Sequence, residues 1–270
     1  MTITLNLAKQ LYSPTEELLC KIDTICSAHE IPYFIAGATS REILIHHVYG
    51  RPVGRRTRDI DFAVFVKEWA FFDALKQGFI KAGAMASKGN AHRLILDGVE
   101  LDIIPFGGVA EANKVAWPPD RDVVMAVDGF EEAFRHTVLV NVVPDQPVPF
   151  CSLPGLALLK LFAWRDRGAG NNKDAADLYK IIVEYGVIED DRIYESPVNG
   201  EELAWNTLRM GAYLLGSDIA VIASAVSMKE LLTLDIEKLT DAVVRQSRSE
   251  SPEDIERVLK DFWAAIQHSE

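Results

Sequence analysis

Three carboxylates carry the most specific chemical signal in this 270-residue chain. Asp59 and Asp61 stand two apart in the run Asp59-Ile60-Asp61-Phe62-Ala63-Val64, which reads as a strand, so both side chains point to one face. Two anions roughly 7 Å apart beside apolar neighbours repel each other and resist leaving water. A divalent cation removes both problems. Asp102, flanked by Leu101, Ile103 and Ile104, joins them if its strand lies alongside. Three carboxylates around Mg²⁺ or Mn²⁺, with the remaining positions left to water and phosphate oxygens, suit phosphoryl and nucleotidyl transfer. The same spacing also arises as plain surface alternation, so the pair alone does not decide.

A second feature precedes the carboxylates. Gly37, Ala38, Thr39 and Ser40 follow a short apolar run and open a helix, which offers main-chain N–H groups and two hydroxyls to a phosphate. Such a turn is equally a simple strand-to-helix connection. Arg51, Arg55, Arg56 and Arg58 form the basic focus of the chain, immediately before the paired acids. They suit either a triphosphate or RNA end, or a solvated loop offsetting local acid. His46 and His47 are adjacent and face different sides of a helix, while His92 and His136 stand alone, so no histidine is assigned a ligand role.

The elements that must position these groups follow from periodicity. Residues 15–29 are amphipathic, with Leu18, Leu19, Ile22, Ile25 and Cys26 on one face. Residues 33–36 and 59–66 read as strands, 40–49 and 67–82 as helices. Residues 92–96 and 99–105 flank Asp97-Gly98, a hairpin signal because both turn residues tolerate positive φ. Residues 121–127 and 137–143 are further strands. Prolines 144, 147, 149 and 154 then read as a boundary. Beyond it the pattern is helical: 153–167, 173–185, 201–215, 218–226, 228–246 and 252–268. Ser227 with Glu230 fits a capping box, and Ser251 before Pro252 marks a helix start. The expectation is an α/β (α+β) mixed-sheet domain over 1–151 and an all-helical domain over 152–270.

Composition narrows the function class. The chain is 49% hydrophobic and 25% charged, with a formal net charge of −12 and a sequence pI near 5.0. That balance builds a core and argues against a protein devoted to coating nucleic-acid phosphates. Cys20, Cys26 and Cys151 are too few and too irregular for a disulfide framework or a CxxC zinc site, which sets a reducing, cytoplasmic location as the expectation. The start of the chain carries no secretory pattern. The long apolar stretch 210–226 has Asp218 at its centre, where a membrane span would lose about 2.5–3.5 kcal/mol, so it reads as a buried helix and no membrane partner is expected.

Taken together, Gly37-Ala38-Thr39-Ser40, Arg55-Arg56-Thr57-Arg58-Asp59-Ile60-Asp61-Phe62 and Glu100-Leu101-Asp102 resemble the motifs of the nucleotidyltransferase superfamily, the polymerase β-like fold. Within it the chain looks most like AbiEii-type and related bacterial nucleotidyltransferases. The resemblance covers residues 33–106 well and 153–185 loosely; residues 186–270 match no named pattern. It implies that Asp59 and Asp61 bind the metal ions that hold an NTP, and that Asp102 acts as a ligand or base. It implies phosphate or nucleotide contacts for Gly37, Thr39, Ser40, Arg41 and Arg58. From the helical half, Lys160, Lys173 and Asp177 would contact the triphosphate or position a donor, with Arg167 and Asp174 in the same pattern. Ala38 departs from the family's usual Gly or Ser, which shifts hydroxyl duty to Thr39 or Ser40.

The reaction implied is transfer of an NMP from an NTP to a hydroxyl or amine, with pyrophosphate released. The acceptor, expected between the two domains, is a protein side chain, a tRNA 3′ end or a small molecule such as an antibiotic. An antitoxin partner follows only from the toxin-like branch. Two readings from other classes stand beside this one. The first is a nucleotide-binding or partner-binding protein that kept the fold and lost turnover. The second is an interaction protein whose acidic helical half docks a basic partner.

Overall fold

A computed structural model describes residues 3–52, 59–87, 89–247 and 250–268. The chain divides into two compact units, Met1–Ser152 and Leu153–Glu270. The first is mixed α/β and the second helical. No helix among the described residues is long and apolar enough to cross a membrane.

In chain order the first unit contains β1 (Thr4–Asn6), α1 (Ser13–Ala28), β2 (Tyr33–Ile35), α2 (Gly37–Glu42), β3 (Asp59–Val66), α3 (Trp69–Lys81), β4 (Met85–Ala86), β5 (Arg93–Leu96) and β6 (Val99–Gly107). It continues through β7 (Ala110–Glu111), β8 (Lys114–Ala116), β9 (Val124–Ala126), α4 (Phe130–Arg135), β10 (Thr137–Val143) and β11 (Gln146–Cys151). Eight strands form a mixed sheet in the order β1-β10-β11-β2-β3-β6-β5-β4, and β7-β8-β9 form a small separate one.

The central pair, β3 and β6, runs parallel with Asp61 opposite Asp102. Alternation then divides the sheet into two faces. Ile60, Phe62, Leu101 and Ile103 are buried on one, where Phe62 meets Phe79 of α3. The other face changes character along its length. Its far end is aromatic, with Phe65 and Phe106 packed against Phe134, and Phe106 also against Phe130. Its near end is acidic.

The Asp97-Gly98 pair makes the expected hairpin between β5 and β6, with φ of +52° and +79°. The helix expected over 40–49 starts earlier, as α2, and widens into a π-helical turn over Ile43–Val48, in which the Tyr49 N–H donates to the Leu44 carbonyl five residues back. The division between the units falls inside the proline-rich stretch, which is itself regular structure: Pro144, Pro147 and Pro149 lie in β11 and the turn before it, paired antiparallel with β10, and Pro154 lies in the first turn of the helix that follows. Proline is tolerated because β2 is short and pairs with β11 at Phe150 alone, so Pro147 and Pro149 lie where one edge has no partner in register. The strand expected over 121–127 shrinks to β9.

The helical unit contains α5 (Leu153–Arg167), α6 (Lys173–Ile188), a 3₁₀ turn (Arg192–Tyr194), α7 (Thr207–Ile222), α8 (Ala225–Leu231), α9 (Ile236–Gln246) and α10 (Pro252–Gln267). Three expected boundaries move. Ala204 and Trp205 adopt positive φ and Asn206 caps Leu208 and Arg209, so the helix begins at Thr207 rather than 201. It then runs unbroken through Asp218. That carboxylate is satisfied within the unit, accepting from the Tyr185 hydroxyl and from both Arg192 Nη atoms, at 3.0 and 2.7 Å for Nη1 and Nη2. The capping box at Ser227 is absent; Ser224 is the cap, accepting from the Ser227 N–H, and the helix expected over 228–246 is two helices. Ser251 and Pro252 start α10 as expected.

Candidate functional site

The acidic end of the sheet is assembled by register. Asp59 opens β3 opposite Glu100, and Asp61 faces Asp102 across the parallel pair. Because in-register residues share a face, the acids converge. One carboxylate oxygen from each of Asp59, Asp61 and Asp102 lies within 4.8 Å of the others, and Asp102 is only 8% exposed. Oxygen donors gathered at that spacing fit a hard divalent cation.

The glycine turn is fastened directly over this cluster. The Ala36 N–H donates to the Asp61 carbonyl at 2.8 Å, and the Thr39 hydroxyl to the Asp59 carbonyl at 2.9 Å. The Ser40 hydroxyl donates to the Cys151 carbonyl at 3.0 Å, tying the turn to β11 as well. Gly37 has φ of +60°, and a Cβ there would lie 2.0 Å from Asp61 Oδ2. Only glycine satisfies both the backbone angle and the approach to the carboxylate. The hydroxyls expected to meet phosphate are thus donors to main-chain carbonyls, and Arg41 is buried at 7% exposure. Arg55, Arg56 and Arg58 lie outside the described residues.

A residue that the sequence analysis did not single out completes the cluster. Arg93 stands directly opposite Asp102 in the β5–β6 hairpin. Its Nε and Nη2 donate to the two oxygens of Asp102 at 2.7 Å each, and Nη1 donates to Glu100. The hydrogen bond to Asp102 pushes the guanidinium further up from its ordinary value. Beside it, burial lowers the His92 imidazole; Asp102 opposes that shift, while Arg93 and Lys76 add to it. The signal was present in the sequence. With a two-residue turn at Asp97-Gly98, Leu96 pairs with Val99, and counting outward puts Arg93 against Asp102.

A cleft of about 710 Å³ opens beside Asp59 within the same unit. Its walls include Tyr12, Leu18, Thr39, Glu42 and His46. The Nδ1 atoms of His46 and His47 pair with the carbonyls of Arg51 and Lys9, at 2.6 and 3.1 Å, which gives both histidines structural work.

The remaining expected site residues belong to the helical unit. There Lys160 Nζ donates to Asp174 at 2.9 Å and to Asp177 at 2.8 Å, and Arg167 forks onto Asp174 at 2.6 and 2.9 Å. Asp174 is 2% exposed. Its burial favours the neutral acid, but the Arg167 and Lys160 contacts outweigh that and hold it below its ordinary value. Lys173 is exposed at the start of α6.

No protein-family model matches the chain, and a search of the curated proteins finds no match. Among solved structures, the antibiotic-resistance factor ANT(2'')-Ia in solution aligns at 14% identity over 96% of this chain and 97% of its own, with a TM-score of 0.38. ANT(2'')-Ia in complex with adenylyl-2''-tobramycin aligns at 15% identity over 80% and 98%, with a TM-score of 0.39. An antigenic nucleotidyltransferase-like protein from Paracoccidioides brasiliensis aligns at 16% identity over 75% and 95%, with a TM-score of 0.42. Likeness this loose assigns neither a family nor an activity. The first unit holds three converging carboxylates under a glycine turn.

Proposed function

We propose that the protein is a divalent-metal-dependent nucleotidyltransferase that moves an NMP from an NTP to an acceptor hydroxyl or amine and releases pyrophosphate. The observation that carries this reading is the convergence of Asp59, Asp61 and Asp102 within 4.8 Å beneath Gly37. Folding gathers like charges on a half-buried face only at a cost in stability, so the arrangement is best explained by a cation it serves.

Asp59, Asp61 and Asp102 would hold Mg²⁺ or Mn²⁺. When bound, the cation supplies charge neutralisation and Lewis acidity at phosphate oxygens. The chain's own contribution is placement. Gly37 lets main-chain N–H groups of the turn approach the phosphates, while the Thr39 and Ser40 hydroxyls pin that turn to β3 and β11. In the transfer, the acceptor oxygen or nitrogen bonds to the α-phosphorus. The α–β bridging oxygen departs with its electron pair as pyrophosphate, and the acceptor proton passes to water. Roles for Arg41 and Arg58, and for Lys160, Lys173 and Asp177 of the helical unit, rest on the sequence motif. So do the AbiEii-like branch and its antitoxin partner.

The test is calorimetric titration of ATP, GTP, CTP and UTP, with and without Mg²⁺, into wild type and Asp61→Ala. Magnesium-dependent binding by wild type that weakens more than about 100-fold in Asp61→Ala is expected, since even outer-sphere changes cost 10–100-fold. Pyrophosphate release with a protein, tRNA or small-molecule acceptor then identifies the substrate. Nucleotide binding that ignores Mg²⁺ and survives Asp61→Ala sinks the reading. Binding without pyrophosphate release from any acceptor class would favour a nucleotide-binding protein on the same fold.

A further inference from the structure

A row of charged residues crosses three strands of the sheet: Arg93 on β5, Asp102 on β6 and Asp61 on β3, each opposite the next. The row behind it holds Glu100 on β6 and Asp59 on β3. Arg93 bridges the two rows, forked on Asp102 and reaching Glu100 with its third nitrogen. We infer that Arg93 is a positioning residue for the carboxylate cluster, fixing Asp102 in the orientation in which it serves as a metal ligand. This rests on the metal-site reading above.

Three physical arguments support the assignment. First, a carboxylate side chain on a strand is free to turn about its own torsions, and two parallel N–H···O bonds remove that freedom in a way one bond cannot. Second, each carboxylate oxygen accepts more than one contact, so the fork leaves lone pairs on Asp102 for a cation shared with Asp59 and Asp61. Third, the fork is itself anchored, because Arg93 sits in a hairpin whose register is set by a two-residue turn and its remaining arm is held by Glu100. Outer-sphere groups that orient metal ligands in this way typically govern affinity by 10–100-fold.

The experiment is Mn²⁺ titration of the metal-free full-length chain, followed by loss of the free-ion electron paramagnetic resonance signal, with a thermal melt of each protein in chelator. Wild type, Asp61→Ala, Asp102→Asn, Arg93→Gln and Arg93→Lys are compared. Arg93→Gln should weaken Mn²⁺ binding about tenfold, and Asp102→Asn by more. Arg93→Lys should recover part of the loss, because lysine keeps the charge but lacks the fork. Mn²⁺ affinity unchanged or tighter in Arg93→Gln overturns the proposal, as does full recovery in Arg93→Lys, which would reduce the residue to a charge. A change confined to the chelator melt makes Arg93 structural and also overturns it. Failure of the underlying reading looks different: wild type then binds no Mn²⁺, or binds it as well as Asp61→Ala does.

Discussion

Several aspartates in this protein are held by an arginine fork, and two of them, Asp218 and Asp102, are put to opposite uses. In the helical unit Asp218 accepts from Arg192 and from the buried Tyr185 hydroxyl, while Arg192 also reaches Glu189. That network lets a carboxylate sit within the apolar stretch of α7. In the sheet unit Asp102 receives the same fork from Arg93, yet two further carboxylates come within 4.8 Å. An ion pair standing alone is cohesion. The same pair with further carboxylates gathered around it is a candidate cation site, because like charges repel unless positive charge lies among them.

Glycines draw the same contrast. Gly37 makes room for a carboxylate, whereas Gly186 and Gly211 make room for each other: a Cβ on Gly211 would lie 2.4 Å from the Gly186 Cα where α6 crosses α7. Alanine at each position therefore separates chemistry from packing. Gly37→Ala should cost about 3 kcal/mol, from a left-handed backbone angle and from overpacking, and should also weaken Mn²⁺ binding. Gly211→Ala should cost about 2–3 kcal/mol, because the clash is with the Gly186 backbone and better helix propensity offsets only part of it, and should leave Mn²⁺ affinity unchanged. Chemical denaturation and metal titration of both variants provide the check. Equal metal affinities in the two would show that the glycine turn at 37 has no part in metal binding.

A smaller effect is expected at Asp218. Breaking a fully buried pair costs several kcal/mol, but the Arg192 side chain is 45% exposed, so Asp218→Ala should destabilise the protein by only about 1–2 kcal/mol. Denaturant midpoints measure it, and Mn²⁺ affinity should not respond. The smallest change concerns acid. Asp174 titrates below its ordinary value in the folded chain, so between the folded and unfolded pKa values the unfolded state binds more protons. Its stabilising contribution is complete above about pH 4 and fades as pH falls through the folded value. Asp174→Asn should flatten that part of the stability-against-pH curve; an acid limb as steep as that of wild type would show that other carboxylates carry it.

Local pattern was enough for much of this molecule. The β3 strand, the Asp97-Gly98 hairpin and the helix over 153–167 are legible because each depends on residues within a turn or two of one another, through alternation, positive-φ tolerance and apolar periodicity. The placement of Asp59 and Asp61 on one face follows from alternation alone. The partner of Asp102 was legible too, by counting back from the hairpin turn to Arg93.

Tertiary structure decided the rest. Nothing local sets Asp61 opposite Asp102, since β3 and β6 are brought together across α3 and the β4–β5 segment by burial of Ile60, Phe62, Leu101 and Ile103. Proline at 147 and 149 argues for a break, and only the shortness of β2 makes a strand acceptable there. Asp218 and Gly216 look like interruptions in an apolar run until Tyr185 and Arg192 satisfy one and the close approach of α10 explains the other. The sequence by itself determined which groups carry charge and which way they point along each strand. How many carboxylates meet, and what holds them, depended on pairings between segments far apart in the chain, whose free energy is a sum over the whole core.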